Sequence, residues 1–70
     1  MFIKLKEQRK KHNYTFADMG KMLNISKAYY WQIEHCKRRL NYELAIKIAQ
    51  IFNLTPDEMF YEDFKQNKKA

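Results

Sequence analysis

Asn13-Tyr14-Thr15, Asn24-Ile25-Ser26 and Asn53-Leu54-Thr55 divide this chain into short pieces. Each triplet reads as a joint between two helices. Asn tolerates the left-handed backbone that closes a helix without Gly. The apolar residue beside it can staple onto the coming helix. Thr or Ser then caps the new N-terminus by accepting a backbone N–H. The first two joints leave only residues 16–23 for the helix between them. The triplets also match the N-glycosylation acceptor pattern. No secretory signal stretch accompanies them, so the capping role is expected.

The punctuation predicts five helices. The first covers about residues 2–12, with Leu5 inward and a basic outer face. The second covers about 16–23, capped by Thr15 with Asp18 at the capping-box position. The third covers about 27–36 behind Ser26, and the fourth about 42–53 behind Asn41. The fifth has the strongest start: Thr55 as cap, Pro56 at the first helical position, Glu58 closing the box and Leu54 stapling to Met59. It is expected to run to about residue 61 or a little beyond. Gly20 lies inside the second helix, where it costs about 1 kcal/mol against Ala. Close approach of the next helix is the expected compensation.

One Gly and one Pro in 70 residues leave little room for a loop-rich or all-β fold. The 46% apolar share suffices for a small helical core. The expected fold is therefore all-α, a single domain over residues 1–64 with a polar, frayed tail at 65–70. Cys36 is alone, so no intrachain disulfide is possible. That fits a reducing compartment. No apolar run reaches membrane-span length, and a basic membrane-surface helix fits poorly because the apolar stripes are taken by the core. No metal site or cofactor is expected, since no metal-ligand spacing or phosphate-binding Gly loop occurs. Nor is catalysis. His12 and His35 stand in different helices, and Cys36 points about 100° away from its neighbour His35.

The net charge of +6 is uneven: residues 1–47 carry +7 and residues 48–70 carry −1. That asymmetry favours a polyanionic partner, most simply nucleic acid. The basic part also holds the short helix, tight turn and second helix, the layout of a helix-turn-helix DNA reader at about residues 16–35. On the third helix, Tyr30 and Ile33 point one way and should enter the core. Lys27, Ala28, Trp31, Gln32 and His35 share the opposite face. Tyr29 lies at the border, and a basic loop, Lys37-Arg38-Arg39, follows.

Residues 5–60 resemble the phage repressor and Cro-type helix-turn-helix family, called XRE. The residues that carry the resemblance are Thr15-Phe16-Ala17-Asp18-Met19-Gly20-Lys21-Met22-Leu23-Asn24-Ile25-Ser26 across the first helix and turn. Lys27-Ala28-Tyr29-Tyr30-Trp31-Gln32-Ile33-Glu34 continues the match. It ends with Glu43-Leu44-Ala45-Ile46-Lys47-Ile48-Ala49 and Asp57-Glu58-Met59-Phe60. This chain departs from the pattern in five ways. Gln8 sits where an apolar residue is common. Asn stands at the family's usual turn Gly positions, and Cys36 replaces the Gly after the reading helix. Phe16 replaces a Gln that helps fix DNA contacts in many members. Trp31 replaces a small polar residue on the reading face.

The resemblance implies a compact five-helix, lambda-repressor-like domain that binds double-stranded DNA. Lys27, Ala28, Trp31 and Gln32 would read bases. Gln32 suits adenine, Lys27 suits guanine or a phosphate, and Ala28 suits a thymine methyl. Trp31 would lie against thymine methyls or sugars, or cover a dimer rim. Thr15, Phe16, Lys21, Ser26, Tyr29, Lys37, Arg38 and Arg39 would lie along the backbone, with Tyr29 open to half-buried packing instead. Arg9 and Glu34 fall where the family often has a structural ion pair. Phe60, Tyr61 and Phe64 are candidates for a homodimer seam, or for closing the monomer's own core. The expected role is a cytoplasmic transcription repressor, in a bacterial setting that includes phage and plasmid genes. The alternative is a DNA-binding antitoxin or another module that also binds a protein partner.

Overall fold

Four residues with left-handed backbone close the first four helices. Asn13 (φ 59°), Asn24 (φ 61°) and Asn53 (φ 59°) do so at the expected joints, and Cys36 (φ 59°) does so at the fourth. Each completes the same pair of backbone bonds. Tyr14 N–H reaches Arg9 C=O, Ile25 reaches Gly20, Lys37 reaches Gln32 and Leu54 reaches Ala49, over 2.7 to 3.0 Å. The left-handed residue itself donates to the carbonyl three residues back. This is the Schellman closure, which satisfies carbonyls that a helix end leaves open.

The computed structural model of the chain describes residues 1–67, without the side chains of Phe64, Gln66 and Asn67. The helices are α1 (Ile3–Lys11), α2 (Phe16–Leu23), α3 (Lys27–Glu34), α4 (Tyr42–Ile51) and α5 (Pro56–Asn67). No strand occurs among the described residues. The caps lie where the sequence puts them. Thr15 Oγ1 accepts the Asp18 N–H at 3.0 Å while Asp18 accepts the Thr15 N–H at 2.9 Å. Thr55 and Glu58 form the same reciprocal box, at 2.8 and 3.1 Å. Ser26 and Asn41 cap α3 and α4. The Thr15 N–H, then the Thr15 hydroxyl, hold the Asp18 carboxyl below its ordinary value. The box therefore favours folding above the usual carboxylate range and loses that contribution as pH falls through the lowered value.

α3, α4 and α5 differ in length from expectation. α4 stops at Ile51 rather than near residue 53, because Asn53 takes the left-handed closing position. α3 stops at Glu34 rather than near residue 36, because Cys36 takes the left-handed position and turns the chain. A Cβ there costs about 1–2 kcal/mol that Gly avoids, partly offset by Gly's larger loss of chain freedom. Cys36→Gly should therefore raise stability by about 1 kcal/mol, read as a higher urea midpoint with unchanged slope. An unchanged or lower midpoint would show that the thiol makes a compensating contact.

α5 continues well past residue 61. Met59, Phe60 and Asp63 all turn inward. Asp63 accepts the Lys4 N–H at 3.2 Å and so caps the start of α1, where no local side chain does. The Phe2 N–H bonds to the Glu34 carbonyl at 3.0 Å, tying the start of the chain to the end of α3. Phe60 is only 2% exposed and meets Phe2 edge-on, ring centres 5.1 Å apart. It closes the monomer's own core and is withdrawn from a dimer seam.

The core is assembled from all five helices. Leu5, Met19, Tyr30, Ile33 and Ile48 are completely buried, and Met59 nearly so. α2 packs most closely on α3. α1 lies against α5, and α4 against α5 and α2. The result is a scaffold that clamps the inner side of α3 and leaves its outer side in solvent.

Candidate nucleic-acid interface

The outer face of α3 carries Lys27 and Ala28, both exposed, Trp31 at 39% exposure and a half-buried Gln32. Directly behind them Tyr30 and Ile33 are sealed in the core. The Ser26 hydroxyl accepts the Tyr29 N–H at 3.0 Å. It fixes the first turn of the helix, the part that meets base edges in a helix-turn-helix complex.

The position of α3 is set by a buried polar cluster. Arg9 donates Nε to Glu34 Oε1 at 2.9 Å and Nη2 to Glu34 Oε2 at 3.2 Å. Its third nitrogen, Nη1, bonds the Tyr14 carbonyl at 3.0 Å. Tyr30 donates its hydroxyl to Glu34 Oε1 at 2.7 Å. Burial, reinforced by that bond to Glu34, raises the Tyr30 phenol far above its usual range. It stays a neutral donor. Phe16 covers the guanidinium, with its ring centre 4.3 Å from Arg9 Cζ. Among the described residues no buried side-chain nitrogen or oxygen lacks a partner.

The surface side chains are held by one another. Trp31 and His35 stack with centres 4.0 Å apart and planes 17° from parallel. Arg38 turns back toward the helix. Its Nε donates to Gln32 Oε1 at 3.1 Å, and its guanidinium lies 4.5 Å over the Tyr29 ring. The amide of Gln32 is thereby oriented, with its NH2 group left to donate outward. This link was not foreseen from sequence, which treated Gln32, Tyr29 and Arg38 separately. Only the sharp chain reversal at Cys36 brings the loop back over the helix.

The other backbone candidates divide. Lys21, Lys37 and Arg39 are exposed. Thr15 spends its amide and hydroxyl in the capping box, and the Asp18 carboxylate sits at the N-terminus of α2. A phosphate arriving there would have to displace it. Tyr29 is half-buried beneath Arg38. Phe16 is half-buried too, between the Arg9 cluster and a surface cleft of about 460 Å³ lined also by Ser26, Lys27, Ala28, Trp31 and Gln32. Among the described residues no group of three His, Cys, Asp or Glu is placed to hold a metal. No helix among them is long and apolar enough to cross a membrane.

The sequence profile of the helix-turn-helix family matches residues 5–59, which contain α2, the turn and α3. The chain belongs to the XRE-type helix-turn-helix family. A protein named as an uncharacterized HTH-type transcriptional regulator, from Methanocaldococcus jannaschii, is 39% identical over 61 residues, covering 86% of this chain and 92% of that protein. No solved structure gave a match. XRE-type helix-turn-helix proteins are DNA-binding transcription regulators, and in this member the outer face of α3, the second motif helix, is accessible.

Proposed function

We propose that this chain is a sequence-specific transcription repressor that occupies an inverted-repeat operator as a homodimer in the cytoplasm. The observation that supports this best is the outer face of α3. Lys27, Ala28 and Trp31 are exposed there beside a half-buried Gln32 whose amide oxygen is held by Arg38. In the major groove Gln32 donates Nε2–H to adenine N7 and accepts from N6–H with the remaining lone pair of Oε1. Lys27 reaches guanine or a phosphate. Lys21, Lys37 and Arg39 hold phosphates and supply salt-sensitive affinity with little sequence information.

One such domain spans few base pairs, so two copies related by a two-fold axis would read half-sites about 34 Å apart. Tyr61, 58% exposed on α5, remains the seam candidate with described geometry. The Phe64 side chain, the other candidate, lies outside the described residues.

Selection of bound duplexes from a random library, followed by titration across salt concentrations, tests the proposal. A preferred, two-fold symmetric site is expected. Gln32→Ala should weaken binding to it by roughly 5- to 150-fold, the equivalent of 1–3 kcal/mol, and relax the preference at one position per half-site. Arg39→Ala should weaken all duplexes alike and lower the salt slope by about 1. Binding that treats every duplex as it treats heparin would refute the repressor assignment.

A further inference from the structure

The cleft of about 460 Å³ beside α3 has two aromatic walls, Phe16 from α2 and Trp31 from α3, with Ala28 between the polar residues of its edge. One side chain holds both walls. The His35 ring stacks on Trp31, centres 4.0 Å apart, and meets Phe16 edge-on at 6.2 Å. Its Nδ1 hydrogen-bonds the Trp31 carbonyl at 2.9 Å. On its other side Phe16 is backed by the Arg9 guanidinium, 4.3 Å from the ring centre. The cleft is therefore formed before anything enters it, which spares an occupant the cost of ordering its walls.

The polar lining is of one kind. Lys27 supplies an ammonium, and Gln32, whose oxygen already accepts from Arg38, has its NH2 group free to donate. Ser26 completes the lining, and none of the lining residues is acidic. Apolar walls edged by donors and a positive charge suit a flat apolar body that ends in an anionic acceptor. The volume is that of a small-molecule site. A ring set against aromatic walls also gains stacking and edge contacts beyond its buried area. We propose that the cleft binds a small aromatic carboxylate, its ring against Phe16 and Trp31 and its carboxylate on Lys27 and Gln32, and that occupation of the cleft releases DNA. The binding site stands without reference to DNA. The release rests on the reading role given above, since a molecule seated against Ala28 and Trp31 occupies the space between α3 and the bases. Lys27 and Gln32 then serve either the carboxylate or the duplex, and each ligand weakens the other by the same factor.

Trp31 is the only tryptophan in the chain, so its fluorescence reports on the cleft directly. Titration of the DNA-free protein with benzoate should give a saturable change in the millimolar range, the affinity an open one-ring site allows. Cyclohexanecarboxylate lacks the aromatic ring and benzamide lacks the charge, and each should bind about threefold more weakly or worse. Lys27→Gln, at an exposed position, should erase the preference for benzoate over benzamide. Ala28→Leu, exposed as well, fills the cleft and should abolish the response to all three compounds. With benzoate at about ten times its own dissociation constant, affinity for the selected duplex should fall about tenfold per domain. Acetate at the same ionic strength should leave that affinity unchanged.

A fluorescence change that never saturates, or one that persists undiminished in Ala28→Leu, would mark collisional quenching and overturn the site. Saturable binding that leaves duplex affinity where acetate leaves it would overturn the release. Should the chain prefer no duplex at all, the repressor reading fails instead, and the titration without DNA still decides the cleft.

Discussion

Arg9→Met should cost about 3–5 kcal/mol, the penalty for stranding a buried charge. A domain of this size has roughly 4–10 kcal/mol in total. The variant should therefore lose about a third or more of the domain's stability. Glu34 is completely buried. In the native protein its carboxylate receives two bonds from Arg9 and one from Tyr30. With Met in place of Arg9 it keeps one neutral donor and loses its counter-charge, and the Tyr14 carbonyl loses the Nη1 donor as well. Arg9→Lys should fall between the two proteins. It restores charge but cannot make the two-pronged contact and the third bond together. Urea unfolding followed by helical circular dichroism measures all three. An Arg9→Met midpoint equivalent to less than about 1 kcal/mol of loss would mean that the pair is hydrated and contributes little.

The same cluster separates stability from geometry. Arg9→Met with Tyr30→Phe and Glu34→Leu removes every polar member and leaves no orphan. Such replacements of a buried pair are often neutral or stabilising. The triple variant should thus regain most of what Arg9→Met loses. Its discrimination between the selected duplex and a one-base mismatch should nevertheless narrow, because directional bonds no longer fix α3 against α1. Full recovery of both stability and discrimination would show that apolar packing alone orients the reading helix.

Much of this protein was legible because its signals are local. Asn at a left-handed position and Ser, Thr or Asn at a cap act within four residues, so the joints at 13–15, 24–26 and 53–55 could be read directly. The split face of α3 is equally local, since Tyr30 and Ile33 alternate with Trp31 and Gln32 at helical spacing. What escaped depends on distance along the chain. Asp63 caps α1 across 59 residues, and nothing near either partner announces it. Phe60 could belong to a seam or a core until Phe2 was seen beside it. α1 carries almost no apolar stripe because its second inward position, one turn after Leu5, is Arg9. Periodicity treats that residue as surface. Only the family resemblance placed it opposite Glu34. Arg38 escaped for a different reason: a run of three basic residues reads as three phosphate contacts, and nothing local distinguishes the one that folds back onto Gln32.

Gly20→Val should abolish operator binding and cost roughly 3 kcal/mol or more, because overpacking against backbone atoms outweighs the small gain in helix propensity over Gly. A Cβ at this position would stand 2.8 Å from the Ile25 carbonyl oxygen, 3.2 Å from the Lys27 nitrogen and 3.2 Å from the Ser26 carbonyl carbon. All three are backbone atoms, so no side chain can swing aside. The Ile25 N–H also bonds the Gly20 carbonyl at 2.8 Å, holding the turn against α2. Gly20→Ala is the more informative variant, because two terms oppose. Ala gains about 1 kcal/mol over Gly in a helix interior, while displacing a packed backbone costs about 1–3 kcal/mol. The net loss of stability should be modest, and the protein should remain folded at 10 °C. Binding should suffer disproportionately, by tenfold or more, because what moves is the segment from Ile25 to Lys27 that starts the reading helix, and small misplacement breaks bidentate contacts. Thermal unfolding and duplex titration on the same preparation separate the two effects. A Gly20→Ala protein that is more stable than the original and binds its site unchanged would show that the turn has slack, and that tight packing of α2 on the turn does not set the approach of α3 to DNA.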